Sequence, residues 1–216
     1  MAPSSYQSSL PPPAASSSER AASRPDHDLS LACPFCHIAA VYPPFDPTRP
    51  PHPSAPSLSP ALTSPSPATY VLLSTPLLVA FLDIQPLSRG HLLLCPRRHA
   101  PKLTDAAPAE AAELGRFLRV LSAALSRATG VEDWNVVQNN GAAAAQVVPH
   151  MHFHVIPRPE IRAQGRWSEK FTMFGRGTRE DLDDEDAEVL AERIRKGVAE
   201  VLEEERIGQA EGKAKL

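Results

Sequence analysis

No stretch of this 216-residue chain approaches the ~18 consecutive apolar residues of a membrane-spanning helix, which sets aside an integral helical membrane protein. The N-terminus lacks the charged start and apolar core of a secretory signal. Its serines with Arg20 and Arg24 faintly resemble an organelle transit peptide, but Glu19, Asp26 and Asp28 argue against one. Cysteine is scarce: three residues do not make a disulfide framework. Charge excess is equally scarce, since 22 basic against 25 acidic residues leave −3. That balance offers no broad attraction for nucleic acid or an anionic membrane surface. Together these absences predict a soluble cytoplasmic or nuclear protein whose partners are small ligands rather than membrane or nucleic acid.

What the chain does have is unevenly spread. Of 24 prolines, 16 lie within the first 67 residues. Residues 1–30, rich in Ser, Pro and Ala, cannot bury enough surface to offset their ordering entropy, and a disordered tail is expected there. A second Pro- and Ser-rich stretch, 42–68, reads as an insertion that projects from the surface, with His52 solvated. Order returns at Tyr70–Leu73 and Leu77–Leu82, two apolar strands around the turn signal Ser74-Thr75-Pro76. A third strand runs from His91 to Cys95 and ends at Pro96. Leu114, Phe117, Leu118, Leu121 and Leu125 then form the stripe of a long helix, with Pro108 at its start and Gly130 at its end. Trp134–Asn139 gives a fourth strand, and Leu190, Ile194, Val198 and Leu202 mark a helix over about 183–205, which Gly197 weakens. The Arg97, Arg98, His99 and Lys102 cluster reads as a solvated face. The basic and aromatic segment 160–179 reads as a loop that packs on its own aromatics or contacts a polyphosphate.

The chemistry concentrates in His150-Met151-His152-Phe153-His154-Val155-Ile156. Successive strand side chains point to opposite faces, so the three histidines share one face while Met151, Phe153 and Val155 enter a core. Three imidazoles in register can bind a metal, or can supply one nucleophilic nitrogen and two helpers. Upstream, Cys33-Pro-Phe-Cys36 is a zinc half-site, a redox pair or two buried thiols. A redox pair calls for a following helix that lowers a thiol pKa, whereas prolines follow here within a few residues, which favours zinc if two further ligands exist. The small residues Asn140–Gln146, just before the histidines, could let a phosphate approach the backbone.

His150–Ile156, with Gln146 and Asn139 upstream, resembles the signature of the histidine triad (HIT) family of nucleotide hydrolases and transferases. Phe81-Leu82-Asp83-Ile84, Gly90-His91-Leu92-Leu93-Leu94, Pro96-Arg97-Arg98-His99 and Asn139-Asn140-Gly141 stand in the family's order. The resemblance covers residues 31–41 and about 69–158. It implies an α+β fold, a five-stranded antiparallel sheet with one long packed helix, here followed by a C-terminal helix. With the composition of the remainder, which the resemblance does not cover, the chain is expected to divide into a tail (1–30), a HIT-like domain (31–178) with a Pro-rich insertion at 42–68, and a helical extension (179–216).

The resemblance also implies roles. His152 would attack the α-phosphorus of an adenine nucleotide and form a transient nucleotidyl-histidine. His154, Gln146 and Asn139 would hold the phosphate, Asp83 the ribose, and Phe35, Ile38, Phe81 and Leu82 the base. Cys33, Cys36, His99 and His150 would bind a structural zinc, and relatives commonly pair as homodimers. Two departures stand out. Val147 occupies a position where many relatives carry a hydroxyl suited to protonating the leaving group, and Ala144 and Ala145 stand where glycines are frequent. The alternatives are a metal-dependent hydrolase using all three histidines, or a zinc-stabilised nucleotide-binding or interaction module without catalysis. No acidic residue is expected near the triad to serve the former as a base.

Overall fold

The structure, a computed structural model, describes residues 32–64, 67–159 and 181–214. The segments expected to form a disordered tail (1–30) and a basic-aromatic loop (160–179) lie outside those residues. Among the described residues no helix is long and apolar enough to cross a membrane.

Five strands, β1 (Val71–Ser74), β2 (Leu78–Leu82), β3 (Leu92–Pro96), β4 (Trp134–Gln138) and β5 (Phe153–Pro157), form one antiparallel sheet in the order β1-β2-β3-β5-β4. Every residue of β1, β2 and β3 is buried, because this part of the sheet is covered on both faces, whereas β4 is largely exposed. Their near-continuous apolar runs follow from that double burial. A bulge between Val71 and Leu73 turns Leu72 and Leu73 to the same side. Thr75 Oγ1, accepting from Leu77 N and Leu78 N, closes the β1–β2 hairpin.

One face packs on two helices. The first is α2 (Pro108–Thr129), which follows the short helix α1 (Pro34–Val41) in the chain. Pro108 starts α2, Glu110 accepts from Ala107 N at 2.7 Å, and Gly130, at φ 71°, ends it in the left-handed conformation. Its buried stripe is Leu114, Phe117, Val120, Leu121 and Leu125, with Leu118 at the margin. The other helix, α3 (Asp184–Ala214), runs about nine residues further than the sequence pattern suggests. Leu190, Ile194, Val198 and Leu202 enter the same core as α2 and the sheet. Gly197 does more than weaken this helix: a Cβ there would lie 3.1 Å from Ala124 Cα, so the glycine permits close approach of α3 to α2.

The other face carries a smaller core of Val71, Val79, Phe81, Leu93 and Cys95 under Phe35, Ile38, Ala39 and Tyr42. The Pro-rich stretch belongs here, and it does not project as a structureless loop. It forms short 3-10 turns at Pro56–Leu58 and Pro60–Thr63, with Leu58 and Thr63 buried. Tyr42 Oη lies 2.9 Å from Ser59 O and 3.0 Å from Thr69 O, and Phe45 N donates to Ser74 O. Proline-rich backbone that cannot join a ladder is held instead by one phenol and by carbonyl acceptors. His52 is exposed, as expected.

Candidate functional site

The site sits on the second face, where β3 and β5 pair. Leu93 lies opposite His154 and Leu94 opposite Phe153, so His154 shares the face of Phe81 and Leu93 while Phe153 turns to the helices. Met151 and Val155 are fully buried in the helix-side core. The alternation read from sequence therefore holds, although ladder pairing begins only at Phe153, and His150 and His152 lie just before the strand.

The three histidines do different things. His150, fully buried, donates from Nε2 to Pro96 O at 2.8 Å, which leaves Nδ1 aimed at the thiols of Cys33 (3.4 Å) and Cys36 (3.5 Å). His99 Nδ1 lies 3.3 Å from Cys36 Sγ. These four residues bring one ligand atom each within 4.8 Å of one another and could hold a metal ion. A tetrahedral ion with bonds of ~2.3 Å to sulfur and ~2.05 Å to nitrogen has S···N edges of about 3.6 Å, close to the distances seen. Burial lowers the His150 pKa to about 4 and pushes the Cys36 thiol up to about 12, with Cys33 adding to the latter. The imidazole is thus in the neutral form a metal requires, and a cation would have to draw the Cys36 thiol to its thiolate. His99 Nε2 is buried without a hydrogen-bond partner, so the orientation of that ring rests on its Nδ1 side.

The C-x-x-C pair departs from the sequence reading in one respect. A helix does follow it: α1, Pro34–Val41, with Cys33 as its N-cap residue and Pro34 in its first turn. Proline at that position removes an N–H that would have had no partner in the helix, and Pro43 and Pro44 come only after the helix has ended. Arg97, read as solvated, is half-buried and fastens the end of α1 to the sheet by donating to Ala39 O, Tyr42 O and Ser74 Oγ.

His152 and His154 face a cleft of about 860 Å³. Phe35, Ile38, Phe81, Leu82, Asp83 and Asn139 also line it, so these eight predicted residues come together. His152 Nδ1 donates to His150 O at 2.7 Å, which leaves the Nε2 lone pair outward. Burial lowers its pKa from the ordinary histidine value, so at neutral pH that lone pair is present. The Phe35 ring stands edge-on, its centre 5.1 Å from that of His152 and 5.2 Å from that of Phe81.

Gln146 is the exception. Its Oε1 accepts from Gly141 N at 2.6 Å and its Nε2 donates to Pro101 O at 2.7 Å, and it is absent from the cleft wall. With both ends of the amide engaged, Gln146 clamps the 141–146 loop. Val147, by contrast, is 92% exposed at the mouth of the cleft.

Sequence reasoning missed two contributors. His91, 1% exposed, joins Asp83 to His154: its Nδ1 lies 3.4 Å from Asp83 Oδ2 and its Nε2 3.0 Å from His154 Nδ1. An acid remote in sequence therefore stands beside the triad after all. The signal was present, a histidine on the same strand face as its neighbours' functional groups, but strand pairing is needed to see it. The Pro-rich stretch is the other, since its Thr63 and Pro67, with the adjoining Thr69, line the cleft. Among the described residues the groups able to hold an ion are the cysteine-histidine set and Asp83-His91-His154, and neither joins His150, His152 and His154 on one ion.

Residues 66–161 match the HIT domain family model. An adenosine 5'-monophosphoramidase of Schizosaccharomyces pombe is 42% identical over 88 residues, 41% of this chain and 63% of that protein. An adenylylsulfatase of Arabidopsis thaliana is 43% identical over 82 residues, 38% of this chain and 42% of that protein. This chain thus spans less than two thirds of either relative. A Zn-bound histidine triad family protein from Mycobacterium smegmatis superposes with a TM-score of 0.52 at 26% identity, over 80% of this chain and 96% of the other.

Proposed function

We propose that this chain, which carries a HIT domain at residues 66–161, is a nucleotide hydrolase or transferase. It cleaves an AMP-containing substrate at the α-phosphate through a covalent intermediate on His152. The observation that carries the reading is the 2.7 Å bond from His152 Nδ1 to His150 O, which leaves a lone pair on Nε2 at the wall of the cleft. In the reaction Nε2 bonds to phosphorus as the bond to the leaving group breaks, and water then displaces the histidine. His154 and Asn139 steady the phosphate oxygens, and Asp83 accepts from the ribose hydroxyls. Phe35, Ile38, Phe81 and Leu82 flank the base, and Gln146 acts at one remove by shaping the loop.

The names of the two relatives support an adenylate substrate. With Val147 where many relatives have a hydroxyl, we place anhydrides, whose leaving groups depart as stable anions, ahead of phosphoramidates. Cys33, Cys36, His99 and His150 would hold a structural zinc, which supplies positive charge for two thiolates and cross-links α1 to the histidine segment. Pairing into a homodimer fits β4, an edge strand with Trp134, Val136 and Val137 exposed. A reducing compartment, cytoplasm or nucleus, fits three free cysteines.

The test is to incubate the protein with a panel of adenylated anhydrides and phosphoramidates, quench rapidly, and map the adduct by mass spectrometry. Adenylate on His152 is expected. Binding of AMP with neither adduct nor turnover across the panel would favour the non-catalytic module instead.

A further inference from the structure

His152 and His154, with ring centres 4.7 Å apart, receive opposite instructions from their surroundings. A carbonyl only accepts, so His150 O keeps a proton on His152 Nδ1. His154 Nδ1 meets another imidazole instead, His91 Nε2 at 3.0 Å, and the direction of that bond depends on where His91 carries its own proton. The answer lies on the far side of the His91 ring, where Leu87 N is 3.2 Å from Nδ1. An amide N–H only donates, so a neutral His91 accepts at Nδ1 and carries its proton on Nε2. The competing partner, Asp83 Oδ2, is 3.4 Å from the same nitrogen, outside the ~2.7–3.2 Å range of N–H···O bonds.

We propose that His91 is a positioning residue that sets the tautomer of His154. Held by Leu87 with its proton on Nε2, it donates to His154 Nδ1 and thereby fixes His154 with an N–H at Nε2, a donor toward the phosphate. The inference rests on the reading of the cleft as a nucleotidyl-transfer site. Two adjacent imidazoles then present opposite chemistry, a lone pair from His152 to phosphorus and an N–H from His154 to the oxygens that gain charge. No proton has to move for either. The other tautomer, with the proton on Nδ1 toward Asp83 Oδ2, would turn His154 into an acceptor facing anionic oxygen. A donor is thereby provided on a cleft whose mouth offers only the side chain of Val147 at the position after Gln146.

The test combines nitrogen NMR of 15N-labelled protein with the variants His91→Leu, which keeps bulk alone, and His91→Gln, whose amide places an N–H near the position of Nε2. In the unsubstituted protein His154 should be protonated at Nε2 and bare at Nδ1, with His152 the reverse. With a diadenosine polyphosphate as substrate, kcat should fall roughly 10–100-fold in His91→Leu, the usual cost of losing a partner that orients a functional histidine. KM should hold and His91→Gln should recover most of the loss. His154 carrying its proton on Nδ1, or Gln and Leu equally impaired at unchanged Tm, would overturn the proposal. Failure of the unsubstituted protein to label His152 or turn over any adenylate would remove the function reading instead, and the spectra would still decide the tautomer.

Discussion

The two faces of the sheet are covered by different materials. Against α2 and α3 the cover is hydrocarbon: Leu114, Phe117, Leu121, Leu190, Ile194 and Val198 meet Leu78, Ala80, Leu92 and Leu94. Against α1 the core is smaller and carries Cys33, Phe35, Tyr42 and Cys95, and every histidine of the cleft adjoins it. The contrast shows how the site is held. Met151, Phe153 and Val155 anchor their segment in the hydrocarbon side, and strand alternation obliges His152 and His154 to emerge on the other. One face supplies stability and register, and the second uses that register to place polar groups. Substitutions should therefore separate, with activity lost on one side and stability on the other.

The sharpest separation is expected at His152. His152→Ala should cut turnover on the order of 10⁴-fold or more, as removal of a nucleophile does, with Tm and AMP binding retained, as steady-state kinetics and calorimetry would report. Near-normal activity would remove the nucleophile from this residue. The pH profile carries a second check. Because burial lowers the His152 pKa, kcat/KM should stay flat through neutral pH and decline only on the acid side, as Nε2 gains a proton.

Cys36→Ser breaks the comparison, because here the polar face contributes to stability. Loss of one thiolate from the ion-holding set should cost several kcal/mol, at about 2–4 °C of Tm for each kcal/mol in a chain of this size. Chelator should reproduce the fall and added zinc should reverse it. A Tm indifferent to both would mean that the thiols are merely buried. Turnover should fall as well, since the His150 carbonyl that orients His152 belongs to the same segment.

On the hydrocarbon face Gly197→Leu should do the reverse, costing about 1–3 kcal/mol by overpacking while leaving kcat intact. Any side chain at this position meets Ala124, whose Cα would lie 3.1 Å from the new Cβ. Unchanged stability would show that α3 can withdraw from α2 freely. Gly197 marks a limit of what the sequence discloses. Periodicity at Leu190, Ile194 and Val198 announces the helix and its buried face, because three- and four-residue spacing is a local property. What that face meets is not local, so the glycine reads as a weakness until Ala124 is placed beside it. His91 is a parallel case in the site, for its link to His154 depends on the β3–β5 register. The triad and the C-x-x-C were legible because each carries its chemistry in neighbouring residues, whereas Phe35, Ile38, Phe81 and Leu82, which line the cleft from two separate segments, were indicated only by the family resemblance.

Tyr42→Phe tests the Pro-rich stretch, the part of the second face least legible in sequence. Proline and serine there gave no periodicity, and burial of Leu58 and Thr63 comes from 3-10 turns fastened by the Tyr42 phenol. Removing that hydroxyl should cost about 1–2 kcal/mol, since the single proton it shares between Ser59 O and Thr69 O is lost. Thr63, Pro67 and Thr69 line the cleft, so KM for the nucleotide should rise while kcat holds. A KM unmoved by a loosened insertion would show that this wall does not touch the substrate.

The smallest effect concerns the loop that precedes the histidines. Ala145 has φ 63°, the one non-glycine residue among those described in the left-handed region, which costs an L-residue roughly 1–2 kcal/mol. Gly141, at φ 95°, relieves the same demand four positions earlier. The Gln146 side chain spans Gly141 N and Pro101 O, so the strained turn is held by a clamp rather than by its own preference. Ala145→Gly should therefore stabilise the protein by up to about 1 kcal/mol, despite the entropy a glycine adds to the unfolded chain. Activity separates two meanings of that strain. If the alanine serves only to stiffen the loop, kcat should be unchanged in Ala145→Gly and should fall only when Gln146→Ala removes the clamp. If kcat falls with the glycine alone, rigidity at Ala145 is itself needed to hold the phosphate.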